Sequence, residues 1–242
     1  MARALRCAER GLLTAHPNPR VGAVVVRDGR VLGEGFHQRT GGPHAEVEAV
    51  AAANGDVTDA SVYCTMEPCS FEGRTPSCAQ MLIDHGISQL VYGMEDPHPK
   101  NRGRGFSMLR AAGVEVIGPI LEESARRLNP GHIKRYETGV PYVRLKFASS
   151  LDGRTALASG KSQWVTGDSA RRDVQRLRAR SGAILTCVGT VNADDPSLKV
   201  RASELDSPYA SISAEVTRSI AVVDSWGRMS PNARLCNDPS LI

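Results

Sequence analysis

Short apolar segments with the length of β-strands alternate with helix-like segments along residues 1–140. Val21–Arg27 and Arg30–Phe36 flank Asp28-Gly29, a dipeptide typical of tight hairpin turns, and predict a β-hairpin. Further strands are predicted at Ser61–Met66, Gln89–Met94 and Val114–Ile117, and helices at Ala2–Arg10, His44–Asn54, Ser77–His85, Gly105–Ala112 and Leu121–Tyr136. Since helices that connect apolar strands cover the faces of a sheet, the pattern predicts a layered α/β domain with a largely buried sheet.

A polar segment at residues 137–141 is the best candidate for a domain boundary, and a second α/β pattern follows it. Strands are predicted at Tyr142–Ala148, Ala183–Val188 (buried) and Ser219–Asp224, and a helix at Asp168–Arg180 with Asp168 or Ser169 as its cap. We therefore predict domains at 1–139 and 140–242. With about 150 residues per domain, 242 residues correspond to one complete domain and part of another. After the last strand we find no convincing closing element before Ile242, and we expect the second domain to be incomplete.

Charge and hydropathy indicate which classes of protein the chain can belong to. Hydrophobic residues make up 41% and charged residues 23% of the chain, as in ordinary soluble domains. Residues 1–140 hold 16 Lys/Arg and 16 Asp/Glu, whereas residues 141–242 hold 14 and 10, so the net charge of +4 belongs to the second part. A neutral first domain argues against a nucleic-acid surface there. The longest apolar run, residues 21–26, is far shorter than the roughly 18 residues of a membrane helix, and no secretory signal precedes it, so we expect a cytoplasmic protein.

Three residues have the chemistry and placement of zinc ligands. His44 begins a predicted helix, Cys69 follows a predicted strand, and Cys78 opens the next helix. One imidazole and two thiolates leave the fourth position of a tetrahedral zinc for water, whose pKa falls to about 7 on the metal. Glu46, two residues after His44, is suited to carry protons in the hydrolytic deamination of an amino-bearing ring carbon. A structural zinc site, or buried thiols beside a helix-capping histidine, are the alternatives.

Other conspicuous residues have competing interpretations. We expect core positions for the remaining thiols, Cys7, Cys64, Cys187 and Cys236. A run of arginines on the predicted helix 168–180 either attracts phosphate groups or forms a solvated face. Trp164 contacts a cofactor or packs in the core. The arginines are Arg171, Arg172, Arg176, Arg178 and Arg180.

Eight residues separate Cys69 from Cys78, where the short deaminase pattern has two. This spacing and several longer motifs resemble the bifunctional riboflavin biosynthesis deaminase/reductase family. The resemblance spans nearly the whole chain, with Ser77 at a position where the family usually has a second proline. The motifs lie at residues 16–22, 43–46, 67–78, 145–146, 150–156, 162–164 and 191–196.

For the first domain, the resemblance implies a cytidine-deaminase-like three-layer fold. The implied reaction is zinc-dependent hydrolytic deamination of 2,5-diamino-6-(5-phosphoribosylamino)pyrimidin-4(3H)-one. The ligands then map to His44, Cys69 and Cys78, and the proton shuttle to Glu46. The implied substrate contacts are Asn18, His37, Arg74 and Asp96, with Arg74 as the partner of the phosphate.

For the second domain, the resemblance implies a partial dihydrofolate-reductase-like α/β fold that uses NADPH to reduce the ribosyl group to ribityl. The implied cofactor contacts are Ala148, Trp164, Thr190, Asp194 and Ser225. The implied substrate contacts are Ser162, Arg178, Leu198 and Arg201. Relatives continue for roughly a hundred residues more, and a domain with three or four strands does not easily bury both sheet faces. We therefore expect a fragment at both ends, or a degenerate reductase, and no NADPH-dependent reduction by residues 1–242 alone.

Other functions remain as alternatives to this hypothesis. One is a deaminase-only enzyme of a related pyrimidine or pteridine-type pathway. Another is a deaminase that acts on a flipped nucleic-acid base, against which the neutral first domain and the insertion between Cys69 and Cys78 both argue. A third is an inactive scaffold, against which the intact ligand set and Glu46 argue. We expect a small phosphorylated pyrimidine as substrate and neither nucleic acid nor membrane as partner. Homo-oligomerisation and the pathway product are left open.

Overall fold

The structure is a computed structural model, and it describes residues 1–73 and 76–242. Contacts divide the chain into two units, Met1–Val143 and Arg144–Ile242. The first unit extends four residues past the boundary that the sequence predicts. Among the described residues, no helix has the length and apolar character needed to cross a membrane.

The first unit is built on a mixed sheet. β1 (Gly22–Arg27) and β2 (Arg30–Phe36) form an antiparallel hairpin around Asp28-Gly29, which confirms the predicted turn. β3 (Ser61–Cys64) pairs antiparallel with the other edge of β1. β4 (Gln89–Tyr92) and β5 (Glu115–Ile117) then extend the sheet in parallel. The strand order is therefore β2-β1-β3-β4-β5.

The helices of this unit lie where the sequence predicts them, with one exception. The predicted helix over residues 121–136 is wrong, because the chain breaks into two helices at Asn129. Pro130 is the first residue of the second helix, and its ring nitrogen cannot donate the hydrogen bond that would continue the first. The helices are α1 (Ala2–Arg10), α2 (Ala45–Ala52), α3 (Cys78–Asp84), α4 (Arg104–Ala111), α5 (Glu122–Leu128) and α6 (Pro130–Thr138).

Glycines let α1 and α2 approach opposite faces of the hairpin. A Cβ on Gly22 would lie 2.1 Å from the carbonyl oxygen of Ala4 in α1. A Cβ on Gly35, which pairs with Ala23 and therefore points to the other face, would lie 2.3 Å from the carbonyl oxygen of Ala45 in α2. One apolar core includes residues of α2, α3 and α4, and a second includes residues of α1, α5 and α6. The unit is thus a three-layer α/β/α domain, as the sequence predicts.

Gly35→Ala tests how closely α2 packs on the sheet. Real Cβ atoms do not approach backbone oxygens to 2.3 Å, so the new methyl group must push α2 off β2. We expect the free energy of unfolding to fall by about 1–3 kcal/mol in urea titrations, the usual cost of overpacking. Gly131→Ala in α6 is the matched control, because a Cβ there meets no heavy atom within 4 Å. Equal stability of the two variants would contradict the close approach.

The second unit contains a parallel pair of strands, β6 (Ala183–Cys187) and β7 (Ser219–Val223). Around them lie α7 (Asp168–Ala179), α8 (Val188–Asp194) and α9 (Ala210–Glu215), with short 3₁₀ turns at Ala202–Glu204 and Arg234–Asn237. A small core forms on one face of this sheet around Val191, Ile220 and Leu235.

Several predictions for the second unit are wrong. Tyr142–Ala148 is not a strand, because no described segment pairs with it. β6 is not buried, since the described residues cover only one of its faces, and Leu185 on the other face is 71% exposed. Cys187 lies on that open face, and Cys236 is also exposed, so neither is a core thiol. Gly167, without a side-chain hydrogen bond, caps α7 in place of Asp168 or Ser169.

Candidate metal centre and active site

The three predicted ligands converge at the carboxyl end of β3. His44 is the N-cap of α2, and Cys78 is the first residue of α3. The residues on either side of Cys78 are held next to Cys69, because the Ser77 hydroxyl and the Ala79 N–H both donate to the Cys69 carbonyl oxygen, at 2.8 and 3.0 Å. The candidate ligand atoms all lie within 4.8 Å of one another.

The donor set fits a zinc ion. His44 Nδ1 lies 3.3 Å from Cys78 Sγ and 3.6 Å from Cys69 Sγ. Tetrahedral zinc, with bonds of about 2.3 Å to sulfur and about 2.0 Å to nitrogen, separates such atoms by about 3.5 Å. Two thiolates and one imidazole are also the ligand types that zinc prefers, and they leave one position for water or substrate. The geometry therefore favours an open site over a closed structural one.

Hydrogen bonding and burial shift the pKa values of the two thiols in opposite directions. Hydrogen bonds from the Cys78 thiol and from His44 lower the pKa of Cys69 to about 5. The pKa of Cys78 is raised, because its thiol donates to Cys69 and is buried. The pair thus holds one proton and one negative charge, and a coordinated divalent metal would displace the remaining proton.

Glu46 lies in the first turn of α2 and is buried, with 3% of its surface exposed. Burial raises the pKa of its carboxyl group, and the negative charge of Cys69 raises it further. A carboxyl group whose pKa is shifted upward can take and return a proton near neutral pH. Glu46 therefore combines the position and the acidity of a general acid–base.

A cavity of about 410 Å³ opens beside these residues. Three of the four predicted substrate contacts of this unit, Asn18, His37 and Asp96, line it together with His44 and Glu46. The fourth, Arg74, lies outside the described residues. The structure therefore brings the predicted substrate contacts of this unit that it describes to the same cavity as the ligands His44 and Cys69.

His37 is held as a neutral imidazole. Its Nδ1 donates to the Pro43 carbonyl oxygen at 2.8 Å, and its Nε2 accepts from the Asn18 side-chain amide at 3.0 Å. Burial lowers the pKa of His37, which agrees with an uncharged ring. The Asn18 amide is in turn oriented by the ring, so the two side chains form a fixed polar wall of the cavity.

Sequence reasoning missed a second group of residues that line the cavity: Glu67, Phe71, His98, His132, Arg135 and Tyr136. Glu67 is buried, and its carboxylate accepts from the backbone N–H groups of Asp96 (3.2 Å), Gly103 (3.0 Å) and Gly105 (2.9 Å). It thereby joins the start of α4 to the loop that carries Asp96. The spacing of His132 and Tyr136, four residues apart on one helix, is the sequence signal that could have indicated part of this wall.

Predicted cofactor contacts of the second unit are only partly assembled. Thr190 and Ser225 follow the carboxyl ends of the paired strands β6 and β7, the edge where parallel sheets bind nucleotides. Asp194 accepts a hydrogen bond from Gln163, next to Trp164, at 3.3 Å. Trp164 is 69% exposed and is not a core residue; the Arg171 guanidinium lies 4.6 Å from its ring centroid. Ala148 lies in a segment without regular structure.

Three of the four predicted substrate contacts of the second unit, Arg178, Leu198 and Arg201, form one small group. Arg178 donates to the Lys199 carbonyl oxygen at 3.3 Å, and burial together with the charge of Arg201 lowers its pKa. Leu198 is buried beside this segment. Ser162 has no such link to them among the described contacts. Two of the arginines of α7 form ion pairs, Arg171 with Asp168 and Arg176 with Asp206.

Comparisons with known proteins match two parts of the chain to two family models. Residues 1–94 match the family model of the cytidine and deoxycytidylate deaminase zinc-binding region, and residues 141–242 match that of the RibD C-terminal domain. The riboflavin biosynthesis protein RibD of Escherichia coli is 50% identical over 99% of the chain, and that of Haemophilus influenzae is 45% identical over 97%. The chain spans 66% and 64% of these two relatives.

Solved structures point to the same family. Acinetobacter baumannii RibD is 45% identical, with a TM-score of 0.91, over 99% of this chain and 67% of its own. A diaminohydroxyphosphoribosylaminopyrimidine deaminase/5-amino-6-(5-phosphoribosylamino)uracil reductase from Thermotoga maritima is 38% identical, with a TM-score of 0.86, over 98% and 66%. With a cytidine-deaminase-like unit followed by a RibD C-terminal, dihydrofolate-reductase-like unit, the chain belongs to the RibD family of riboflavin biosynthesis proteins.

Proposed function

We propose that the first unit catalyses the zinc-dependent hydrolytic deamination of 2,5-diamino-6-(5-phosphoribosylamino)pyrimidin-4(3H)-one. The observation that carries this proposal is the convergence of His44, Cys69 and Cys78 beside the buried Glu46, at a cavity that His44, Glu46 and Cys69 line. In the reaction, water adds to the amino-bearing ring carbon, a C–O bond forms, the C–N bond breaks, and ammonia leaves. No oxidant or further reactant is required.

His44, Cys69 and Cys78 would hold the zinc, which when bound supplies Lewis acidity that lowers the pKa of water to about 7. Glu46 takes a proton from the water and delivers it to the ring nitrogen. It then takes the remaining proton of the added hydroxyl group and gives it to the departing amine. Its raised pKa suits both directions of this transfer. The cavity walls hold the pyrimidine so that the reacting carbon faces Glu46.

Polar residues of the cavity select the substrate. The Asn18–His37 pair offers a neutral, oriented wall, and Asp96 offers a carboxylate that accepts from N–H or O–H groups. The positively charged side chain of Arg135 belongs to a residue that also lines the cavity. Its guanidinium supports a substrate with a phosphate group, because guanidinium groups match the geometry of phosphate oxygens.

Ammonia release from three compounds tests the deaminase proposal. We expect turnover of the phosphorylated diaminopyrimidinone, weaker turnover of its unphosphorylated nucleoside, and none of free cytidine. Preference for cytidine would favour a different pyrimidine deaminase. Absence of ammonia from the phosphorylated compound, with zinc bound, would contradict the proposal.

For the second unit, we propose that it belongs to the module that reduces the ribosyl group to ribityl with NADPH, as the match to the RibD C-terminal domain supports. Thr190 and Ser225 fit a nucleotide edge, whereas Ala148 lies in a segment without regular structure. It stays a prediction that the protein is cytoplasmic and that nucleic acid is not its partner. It also stays a prediction that residues 1–242 alone do not oxidise NADPH. NADPH oxidation with the deaminated product is the measurement that checks the last of them.

A further inference from the structure

Asp96 is a cavity carboxylate that is held by both side chains and a backbone group. Its Oδ1 accepts from the His98 backbone N–H and lies 3.0 Å from His132 Nε2. Its Oδ2 accepts from the Asn101 side-chain amide at 3.2 Å. The donors come from the loop after β4 and from α6, so two parts of the unit set the orientation of one carboxyl group.

Asn101 connects this carboxylate to the metal-ligand loop. Its side-chain oxygen accepts from both the backbone N–H and the hydroxyl of Ser70, at 2.8 Å each. Ser70 follows Cys69 directly, and Asn101 is completely buried. The position of Asp96 is therefore coupled to the segment that carries a zinc ligand.

Two aromatic rings hold His132 in place, Tyr136 by direct contact and His98 by packing on Tyr136. The Tyr136 ring lies one turn further along α6, 4.9 Å from the His132 ring in an edge-on arrangement. The His98 ring packs on Tyr136 from the loop side at 4.5 Å. The side chains of His132 and Asp96 are each only 14% exposed. The imidazole thus has little freedom to leave the carboxylate.

A count of acceptor sites shows what this arrangement leaves available. A carboxylate offers about four lone-pair directions, two on each oxygen. Among the described residues, these contacts use both directions of Oδ1 and one of Oδ2, so one direction of Oδ2 is left in a residue that lines the cavity. A single acceptor site in a fixed direction can distinguish a ligand that presents an N–H or O–H donor there.

We propose that His132 is a positioning residue: it orients Asp96 so that Oδ2 accepts a hydrogen bond from a donor group of the substrate. The inference rests on the proposed function and deepens it. Without His132, the carboxyl group keeps only the His98 N–H on Oδ1 and the Asn101 amide on Oδ2, so its orientation is less firmly held. Substrate binding then weakens, whereas Glu46 and the zinc ligands are unchanged.

Steady-state kinetics with the phosphorylated diaminopyrimidinone test the role of His132. We expect His132→Leu to raise KM about tenfold and to change kcat less than about twofold, because a hydrogen bond to a charged group is lost outside the reacting centre. His132→Gln, which keeps a donor near the position of Nε2, should restore most of the affinity. In an Asp96→Asn background, His132→Leu should raise KM no further. Lys134→Leu, on the exposed part of the same helix, is the control and should behave as wild type.

Zinc content and thermal unfolding of each variant separate positioning from misfolding. Equal KM values for His132→Leu and wild type would contradict the inference, as would a failure of His132→Gln to improve on His132→Leu. A further increase of KM in the Asp96→Asn background would show that His132 acts independently of Asp96 and would also contradict it. Absence of turnover by the wild-type protein is a different result, which contradicts the proposed function itself.

Discussion

Replacing Glu46 by Gln is expected to abolish ammonia release while zinc stays bound. Glutamine has nearly the same shape as glutamate but cannot take or return a proton, and general acid–base catalysis contributes about 10²- to 10⁴-fold to the rates of enzymes. We therefore expect kcat to fall by about that factor. Zinc content should stay equal to that of the wild-type protein, because Glu46 is not among the three candidate ligands.

Stability of the Glu46→Gln variant provides a second test. Burial raises the pKa of Glu46, so keeping its carboxylate ionised costs folding free energy above the usual pKa of the group. A neutral glutamine removes this cost, and we expect no loss of stability in urea titrations of the metal-free protein at neutral pH. Glu48→Gln, in the same turn of α2, is the matched control and should keep full activity. Undiminished turnover by Glu46→Gln would remove Glu46 from the proton transfer.

Loss of zinc is expected to have the second large effect. We expect one zinc ion per chain in the purified protein, and neither zinc nor deaminase activity in Cys78→Ala, because two remaining ligands bind the ion far more weakly than three. A ligand present at a thousand times its dissociation constant stabilises the folded state by about 4 kcal/mol. Chelation should therefore lower the thermal unfolding temperature of the wild-type protein and leave that of Cys78→Ala unchanged.

Cys7→Ala serves as the control for the zinc experiment. Cys7 is a buried thiol of α1 that does not line the cavity, so its removal should affect neither zinc content nor turnover. Metal analysis, ammonia release and thermal unfolding measured on the same preparations distinguish the two thiols. A wild-type protein without zinc, whose turnover is insensitive to chelators, would contradict the metal assignment.

Local sequence signals predicted most of the first unit. The Asp28-Gly29 turn, the alternation of apolar strands with helices, and the placement of His44 and Cys78 at helix starts are all confirmed. The single helix over residues 121–136 is wrong, although Pro130 carried the relevant signal: a proline interrupts the hydrogen bonds of a helix wherever it stands inside one.

Predictions for the second unit were less accurate, because they depended on partners that local sequence does not reveal. The pattern of residues 142–148 is typical of a strand, but a strand exists only where another segment accepts and donates its backbone hydrogen bonds. Similarly, the apolar composition of β6 predicts burial, yet the described residues leave the face of Leu185 and Cys187 open.

The sequence by itself determined the chemistry of the candidate site: one imidazole, two thiols and a carboxyl group at the ends of helices and strands. Residue type and short-range spacing suffice for that conclusion. Only the tertiary structure decided which other groups surround the site. Asp96 and His132 are 36 residues apart, and their contact depends on how α6 packs beside the loop after β4. Such contacts arise from the folding of the whole unit, since no local pattern specifies which distant side chain supplies the hydrogen bond.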